Sequence, residues 1–566
     1  GGGKDVNYYV SGRYYQQDGV LGGNMIRNKE NYKNYSFRAK FDAQLFKWAK
    51  WSTNASLNAV NQKYPGPLNE AQTIAALEEN VAPMFVPYNP DGSIVMYPAD
   101  LRNVALGKGR TAALADPTNK HTIENLSLTL SNSLQLKLHK DLTFDASYNI
   151  NNYRRLYKDR TAANIYSDAV GVTKTTTHYQ KDTYRERPYE YTYHNVDAYF
   201  TYEHSWNKEH NFKAVAGMNY EKYRLVDNIV EQFGLGSDQI DSFNSVNDDT
   251  YWLVQQDISA YKTLGFFARI NYDYKGKYLF EASMRADGTS RFAKKDRWGY
   301  FPSVSAGWTI SNERFMRDID PKIISFLKLR ASYGVNGNIS ALGAFMYSSS
   351  MSVGDYYPMN GSLVSTVYPS DVLANPDLKW ETARQFDVGV DARFLNNRLT
   401  FGMDFYNKNT VDQILTLTPP LATGTTSMAK NIGKVNNHGF EFELGWQDQV
   451  GEFTYGVNAN LATISSEVKE MEGARIVNDL SDFVYFDKGQ PMWSYYGYKY
   501  LGVNPEDGSA MYYDKDKSGT IDDKDKVYLG SAIPDFTYGI TLNAAYKGFD
   551  LTVFGSGSHG GLLSLY

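Results

Sequence analysis

The sequence predicts an all-β fold, a transmembrane antiparallel β-barrel, and three observations carry that expectation. Apolar and polar residues alternate with a period of two in segment after segment, and tight turns alternate with long polar connections. No apolar run approaches the roughly 18 residues that a spanning helix needs, which excludes a helical membrane protein. Composition agrees, because the 566 residues include 46 Tyr, 29 Phe and 9 Trp while mean hydropathy is negative.

Taken in order, a candidate strand near 6 to 16 opens the chain. From Tyr35 to Leu45 one face carries Tyr35, Phe37, Ala39, Phe41, Ala43 and Leu45, and the other carries Ser36, Arg38, Lys40, Asp42 and Gln44. Trp51, Thr53, Ala55, Leu57 and Ala59 repeat the pattern against Ser52, Asn54, Ser56 and Asn58. Leu126, Leu128 and Leu130 share a face with Leu134, Leu136 and Leu138; after Asp141, Leu142, Phe144, Ala146, Tyr148 and Ile150 oppose Asp145, Ser147 and Asn149. Paired strands are expected near 191 to 206 and 212 to 224, 263 to 274 and 278 to 292, 380 to 394 and 398 to 411, 435 to 448 and 452 to 464, and 535 to 546 and 549 to 556. Single strands near 298 to 311 and 326 to 336 bring the total to about 17.

The connections orient these strands. Tight turns fall at Lys47 to Lys50, His139 to Asp141, Asn207 to Asn211, Lys275 to Lys277, Leu395 to Asn397 and Val450 to Gly451. Long polar stretches lie between them, near 63 to 121, 154 to 190, 225 to 262, 337 to 379, 412 to 434 and 465 to 534. Short turns on one rim and long loops on the other are the pattern of outer-membrane barrels, with the short turns periplasmic. Two connections depart from it: the one after Phe292 is short for an outer loop, and Glu313 to Ser325 is long for a turn. A soluble propeller would repeat at a fixed period, and none is present. A soluble sandwich gives no reason for a long loop at every second connection.

Charge and motif content narrow the function. A net charge of −5 shows no basic stripe for a nucleic-acid partner. The absence of cysteine removes disulfides, thiolate metal sites and Cys nucleophiles. Histidines at 121, 139, 178, 194, 204, 210, 438 and 559 form no close ligand pair. Gly555 to Gly560 matches a dinucleotide-loop spacing formally, but no βαβ unit surrounds it. No catalytic constellation is legible, so the chain is not expected to be an enzyme.

One metal candidate stands out, in the long outer loop 465–534. Asp514 to Asp525 has the spacing of a calcium turn, in which hard Ca²⁺ takes oxygens from positions 1, 3, 5, 7, 9 and 12 around a glycine at 6. Those ligands would be Asp514, Asp516, Ser518, the Thr520 carbonyl, Asp522 and Asp525, with Gly519 at the turn and Ile521 pointing inward. Ser518 and Asp525 depart from the usual Asp or Asn and Glu at their positions. The bland reading is a solvated acidic turn. Aromatics on apolar faces, such as Tyr8, Tyr14, Tyr35, Tyr148, Tyr220, Tyr272 and Trp446, suit lipid contact or an interfacial girdle. Loop aromatics Tyr356, Tyr357, Trp493, Tyr495 and Tyr496 either stack on substrate or pack loops together.

Several ordered blocks carry a family resemblance. Arg285 to Phe292 (RADGTSRF), Trp298 to Trp308 (WGYFPSVSAGW), Phe326 to Asn338 (FLKLRASYGVNGN), Asn375 to Glu381 (NPDLKWE), Asn431 to Glu441 (NIGKVNNHGFE) and Pro534 to Gly539 (PDFTYG) resemble the barrel motifs of the SusC/RagA type of TonB-dependent transporter. The resemblance implies a barrel of about 22 strands, an N-terminal plug that is absent from this chain, a SusD-like surface lipoprotein as lid, and TonB as the energy source. Residues 1 to 566 are then an outer-membrane barrel domain incomplete at both ends, with two strands and a plug expected before Gly1 and three strands after Tyr566. The expected function is active import of an oligomeric nutrient, oligosaccharide first and peptide second, across the outer membrane of a Gram-negative bacterium. The competing class is a passive porin or a structural or adhesive barrel.

Overall fold

The computed structural model describes residues 1–19, 30–65, 90–91, 119–161, 164–169, 172–176, 183–235, 240–244, 252–348, 351–359, 362–369, 371–417, 419–471, 476–477 and 484–563. Its main sheet holds 19 strands, all but two of them 11 residues or longer. The long strands are β1 (Val6–Asp18), β2 (Asn31–Phe46), β3 (Ala49–Pro65), β4 (Lys120–His139), β5 (Leu142–Thr161), β6 (Thr183–Trp206), β7 (His210–Phe233), β8 (Trp252–Tyr274) and β9 (Tyr278–Thr289). They continue as β10 (Trp298–Thr309), β11 (Ile324–Asn338), β12 (Glu381–Phe394), β13 (Leu399–Leu417), β14 (Ser427–Val450), β15 (Phe453–Thr463), β16 (Phe536–Tyr546) and β17 (Phe549–His559). Of the two short members, Val372–Leu373 pairs in parallel with Ser427 and Met428. The other, Ser465–Met471, carries β15 onward along β14.

The chain divides into two compact units. The first comprises Gly1–Ala198 and Asn219–Lys262. Its register confirms the alternation: Tyr14 faces Tyr35, Phe37 faces Leu57, and Leu57 faces Leu128. Tyr35, Phe37, Leu57 and Leu128 all remain exposed, so this apolar face has no protein cover among the described residues. The opposite face is a ladder of hydrogen bonds. Ser36 donates to Asn58 (2.8 Å), Arg38 to Asn54 (3.2 Å), Asn149 to Asn195 (3.0 Å) and Asn219 to Asp197 (2.7 Å).

The second unit comprises Tyr199–Met218 and Thr263–Tyr566. Tyr333 pairs with Phe386 on its apolar face, and Phe405 meets Phe440 at a centroid distance of 5.1 Å. On its polar face Arg330 bridges Asp391 (3.1 Å) and Asp404 (2.6 Å), and the Ser283 and Ser303 hydroxyls meet at 2.6 Å. Asn207 and Lys208 both take positive φ, 52° and 58°, the handedness that two-residue hairpin turns require.

Many strands run further than alternation suggested, chiefly toward the long connections, while the strand expected to reach 292 ends at Thr289 and the one expected to reach 311 ends at Thr309. β6 begins at Thr183 rather than near 191, β7 ends at Phe233 rather than near 224, and β14 begins at Ser427 rather than near 435. A strand needs only about 9 to 11 residues to cross the hydrocarbon. Beyond that length neither face has to be apolar, so extensions such as Arg154 to Asp159 lose the pattern that marks a strand in sequence. The long connection 465–534 also has structure of its own among its described residues. Ile476–Val477, Val484–Phe486, Ser494–Gly497 and Val527–Ser531 form a small sheet, and Tyr500–Val503 pairs with Ala510–Tyr512.

Both irregular connections are ordered. The segment between β10 and β11 folds into 3-10 turns at Ile310–Asn312 and Arg314–Met316. Glu313 ties it down by accepting from Lys277 Nζ (2.8 Å), the Tyr278 hydroxyl (2.6 Å) and Trp308 Nε1 (3.2 Å). The Lys277 hydrogen bond, followed by that from Tyr278, pulls the Glu313 carboxyl down to about 2. The short segment after β9 closes through the Thr289 amide on the Arg297 carbonyl (3.2 Å).

Candidate functional site

The calcium-like turn lies among described residues, and the structure gathers half of the expected ligands. Asp514, Asp516 and Asp525 each place a carboxylate oxygen within 4.8 Å of the others. Asp525 is fully buried. One of its oxygens accepts from the Lys515 amide (2.8 Å) and the other from the Asp522 amide (2.8 Å). These backbone donors, Asp522 first, hold its carboxyl below the usual aspartate range, so it stays charged. Gly519 has a φ of +79°, the left-handed conformation that glycine supplies at the turn.

Ser518, Thr520 and Asp522 are occupied locally. The Ser518 hydroxyl donates to the Thr520 carbonyl (2.9 Å), and Asp522 caps the 3-10 turn Asp523–Asp525 by accepting from the Lys524 amide (2.9 Å). Ile521 does not point inward as expected but is 41% exposed, because the neighbouring residues Lys517 to Lys524 are all exposed and leave nothing to pack beneath it. Among the described residues no lysine or arginine forms an ion pair with Asp514, Asp516 or Asp525; Lys526 pairs instead with Asp523 (2.9 Å). Three converging carboxylates without a protein cation fit a hard divalent ion such as Ca²⁺, which takes oxygen ligands.

Two of the loop aromatics, Tyr496 and Trp493, pack against neighbouring rings. Tyr485 and Tyr496 meet edge-on at 4.6 Å, and Phe486 meets Trp493 at 5.3 Å. Side chains of Tyr356 and Tyr357, like His178, lie outside the described residues. Gly555 to His559 finishes β17, which settles the dinucleotide-like spacing as the end of a strand.

Most of the motif blocks meet in one buried knot. Phe292, Leu342, Leu378, Ile414 and Ala429 form its core, with Ile339, Met346 and Trp380 packed against it. The Trp380 ring lies 5.6 Å from Phe292 and 5.2 Å from Phe301, and its Nε1 donates to the Arg297 carbonyl (3.1 Å). Asn431 donates to the Lys379 (2.9 Å) and Asp412 (2.7 Å) carbonyls, while Arg291 reaches the Leu342 carbonyl (3.0 Å). A Cβ at Gly299 or Gly337 would run into the Phe301 ring, so those two motif positions must be glycine. These motifs therefore serve architecture: they clasp the ends of β9 to β14.

A family model described as "TonB dependent receptor-like, beta-barrel" matches residues 31–558. This chain belongs to the TonB-dependent receptor family. The receptor barrel belongs in the outer membrane of a Gram-negative bacterium, and it is similar to receptors of the SusC/RagA type. It is 26% identical over 602 residues to TonB-dependent receptor P3 of Formosa agariphila, covering 100% of this chain and 57% of that relative. It is 32% identical over 323 residues to TonB-dependent receptor SusC of Bacteroides thetaiotaomicron, covering 52% of this chain and 31% of SusC. Among solved structures, the RagAB peptide transporter superposes with a TM-score of 0.81 at 22% identity, covering 98% of this chain and 60% of the other, a likeness of fold. The receptor barrel thus spans little more than half the length of P3.

Sequence reasoning missed one group of residues. Tyr153, Tyr189, Tyr191, Tyr223 and Tyr261 share the polar face of the first unit. Most fall in or beside stretches that read as loops, and the reading of aromatics looked only to apolar faces and loop tips. The odd-numbered spacing of Asn149, Asn151 and Tyr153 was the available signal.

Proposed function

We propose that this receptor barrel is the wall of an active importer for an oligomeric nutrient, glycan first and peptide second, driven by TonB and lidded by a SusD-like surface lipoprotein. The match of the barrel family model across residues 31–558 carries the reading. In a barrel held in lipid the apolar face meets hydrocarbon, so the polar ladder from Ser36 to Asp197 lines the interior. That lining is rich in hydroxyls and amides, which supports a polyhydroxylated cargo. The fold likeness to a structure described as a peptide transporter supports peptide as the second class. Purifying the full-length receptor with its lipoprotein and screening it against oligosaccharide and peptide pools tests this; binding of neither would overturn it.

The same reading assigns the turn 514–525 a structural Ca²⁺, held by Asp514, Asp516 and Asp525 with the Thr520 carbonyl, Ser518, Asp522 or water completing the shell. The ion would order the outer connection rather than act on cargo. Calorimetry on the intact receptor should give a dissociation constant in the range of extracellular calcium modules, about 0.1 to 1 mM. No heat at millimolar Ca²⁺ would end the assignment.

A further inference from the structure

The connection between β10 and β11 runs along the rim of the tight turns, the rim that outer-membrane barrels direct to the periplasm. It is fixed at both ends. At one end the Thr309 amide donates to the Lys277 carbonyl (2.7 Å) and Asn312 Nδ2 to the Gly276 carbonyl (2.8 Å). At the other, the Asn396 amide donates to the Pro321 carbonyl (3.2 Å) and the Asn397 amide to Ser325 Oγ (3.0 Å). The segment is thus a bridge from the turn after β8 to the turn after β12.

Glu313 fixes the side of the wall that the bridge takes. Its hydroxyl and indole donors, Tyr278 and Trp308, face each other in register on β9 and β10. Ser283 and Ser303, whose hydroxyls meet on the polar face, lie an odd number of residues from them along the same two strands. Tyr278 and Trp308 therefore stand on the opposite, apolar face, the one that meets lipid. Glu313 reaches both from that side, so the bridge lies against the lipid-facing wall, where aromatic girdles meet headgroups.

What the bridge presents there is apolar and cationic. Phe315 is 63% exposed and Ile323 62%, and Leu395 in the adjoining turn is exposed as well. Arg314, Arg317 and Lys322 flank them, all exposed, with Asp318 and Asp320 as the acidic neighbours. Among the described residues none of the three cations forms an ion pair, and Asp320 accepts from the Lys322 amide (2.8 Å). A phospholipid leaflet complements both features, with acyl chains for the apolar side chains and phosphates for the cations. Continuity with the lipid-facing wall through Tyr278 and Trp308 favours that cover over a periplasmic protein.

We propose that the segment Ile310 to Ile323 is a membrane foot: Phe315 and Ile323 insert into the phospholipid leaflet on the periplasmic side, and Arg314, Arg317 and Lys322 meet its phosphates. The inference does not depend on active import, since a passive barrel would rest on the same leaflet. The test places the full-length receptor with its lipoprotein in nanodiscs of phosphatidylethanolamine and phosphatidylglycerol. This chain has no cysteine, so a nitroxide is attached at Phe315→Cys or Ile323→Cys, with any cysteine outside the chain replaced by serine. Val304→Cys on the lipid-facing side of β10 and Glu506→Cys in the long connection 465–534 serve as lipid and water references. Collision with oxygen relative to a water-soluble nickel chelate should be severalfold higher at 315 and 323 than at 506, and close to the value at 304. Replacing Arg314, Arg317 and Lys322 by glutamine should shift both labels toward the water reference; labels that do not shift overturn the phosphate contacts. A water-like ratio at either position overturns the foot. Labels shielded from oxygen and nickel alike overturn it too, because they report a protein cover in place of lipid.

Discussion

Placing arginine at Phe41 tests which face of the strands meets lipid. Phe41 lies in β2, five residues from the end of that strand at Phe46. Five residues advance about 17 Å along a strand, which a tilt near 40° reduces to about 13 Å of depth, half of an apolar band about 25 Å tall. Near the rim, Phe46 and Trp48 stack at 5.2 Å in the manner of an interfacial girdle. Phe41 itself packs its ring 5.5 Å from Trp51 on the neighbouring strand. A cation there costs about 2 to 4 kcal/mol, in addition to the lost ring contact. Gln44 on the same strand is the control: its amide donates to the Phe46 (2.7 Å) and Ala49 (3.3 Å) carbonyls on the polar face, donors that arginine can replace. Folded yield and urea midpoint in outer-membrane preparations should fall sharply for Phe41→Arg and stay near wild type for Gln44→Arg. Equal midpoints for the two variants would refute the assignment of faces.

Phe292→Ala empties the centre of the knot and should cost about 3 to 5 kcal/mol, as for a fully buried aromatic; hydrogen exchange should accelerate around Leu342 and Leu378 and not around Tyr35. The Glu313 carboxyl, held down to about 2 from an ordinary 4.5, contributes stability that is complete above pH 4.5 and is lost as pH falls from there toward 2. Acid titration of thermal unfolding should show that loss in the wild type and not in Glu313→Gln. Asp525→Asn should abolish Ca²⁺ heat and raise proteolysis within 500–526, whereas Lys517→Ala should leave both unchanged, since Asp525 alone of the pair is buried.

Much of the fold was legible because lipid imposes a strict rule. Where a segment such as Tyr35 to Leu45 crosses hydrocarbon, every second side chain must be apolar, and that period survives in the sequence. Outside the hydrocarbon the rule lapses. Thr183 to Glu190 and Leu225 to Phe233 are strands by backbone pairing alone, and no side-chain pattern reports it. The small sheet built from Val484–Phe486 and Ser494–Gly497 was unreadable for a related reason, its strands being too short to establish a period.

The site was legible unevenly. Spacing alone brought Asp514, Asp516 and Asp525 together on paper, and they do converge. It could not foresee that Ser518 would bond the Thr520 carbonyl, since that choice is made by local geometry. The motif blocks around Phe292 and Trp380 identified the family while saying nothing of cargo, because their side chains point into a protein core.

Uptake of a labelled neutral oligosaccharide by cells carrying the full-length receptor, with and without TonB, tests the importer most directly. Uptake that requires both TonB and the proton-motive force is the predicted result. Equal uptake after TonB is deleted would make the barrel a passive pore and contradict the account.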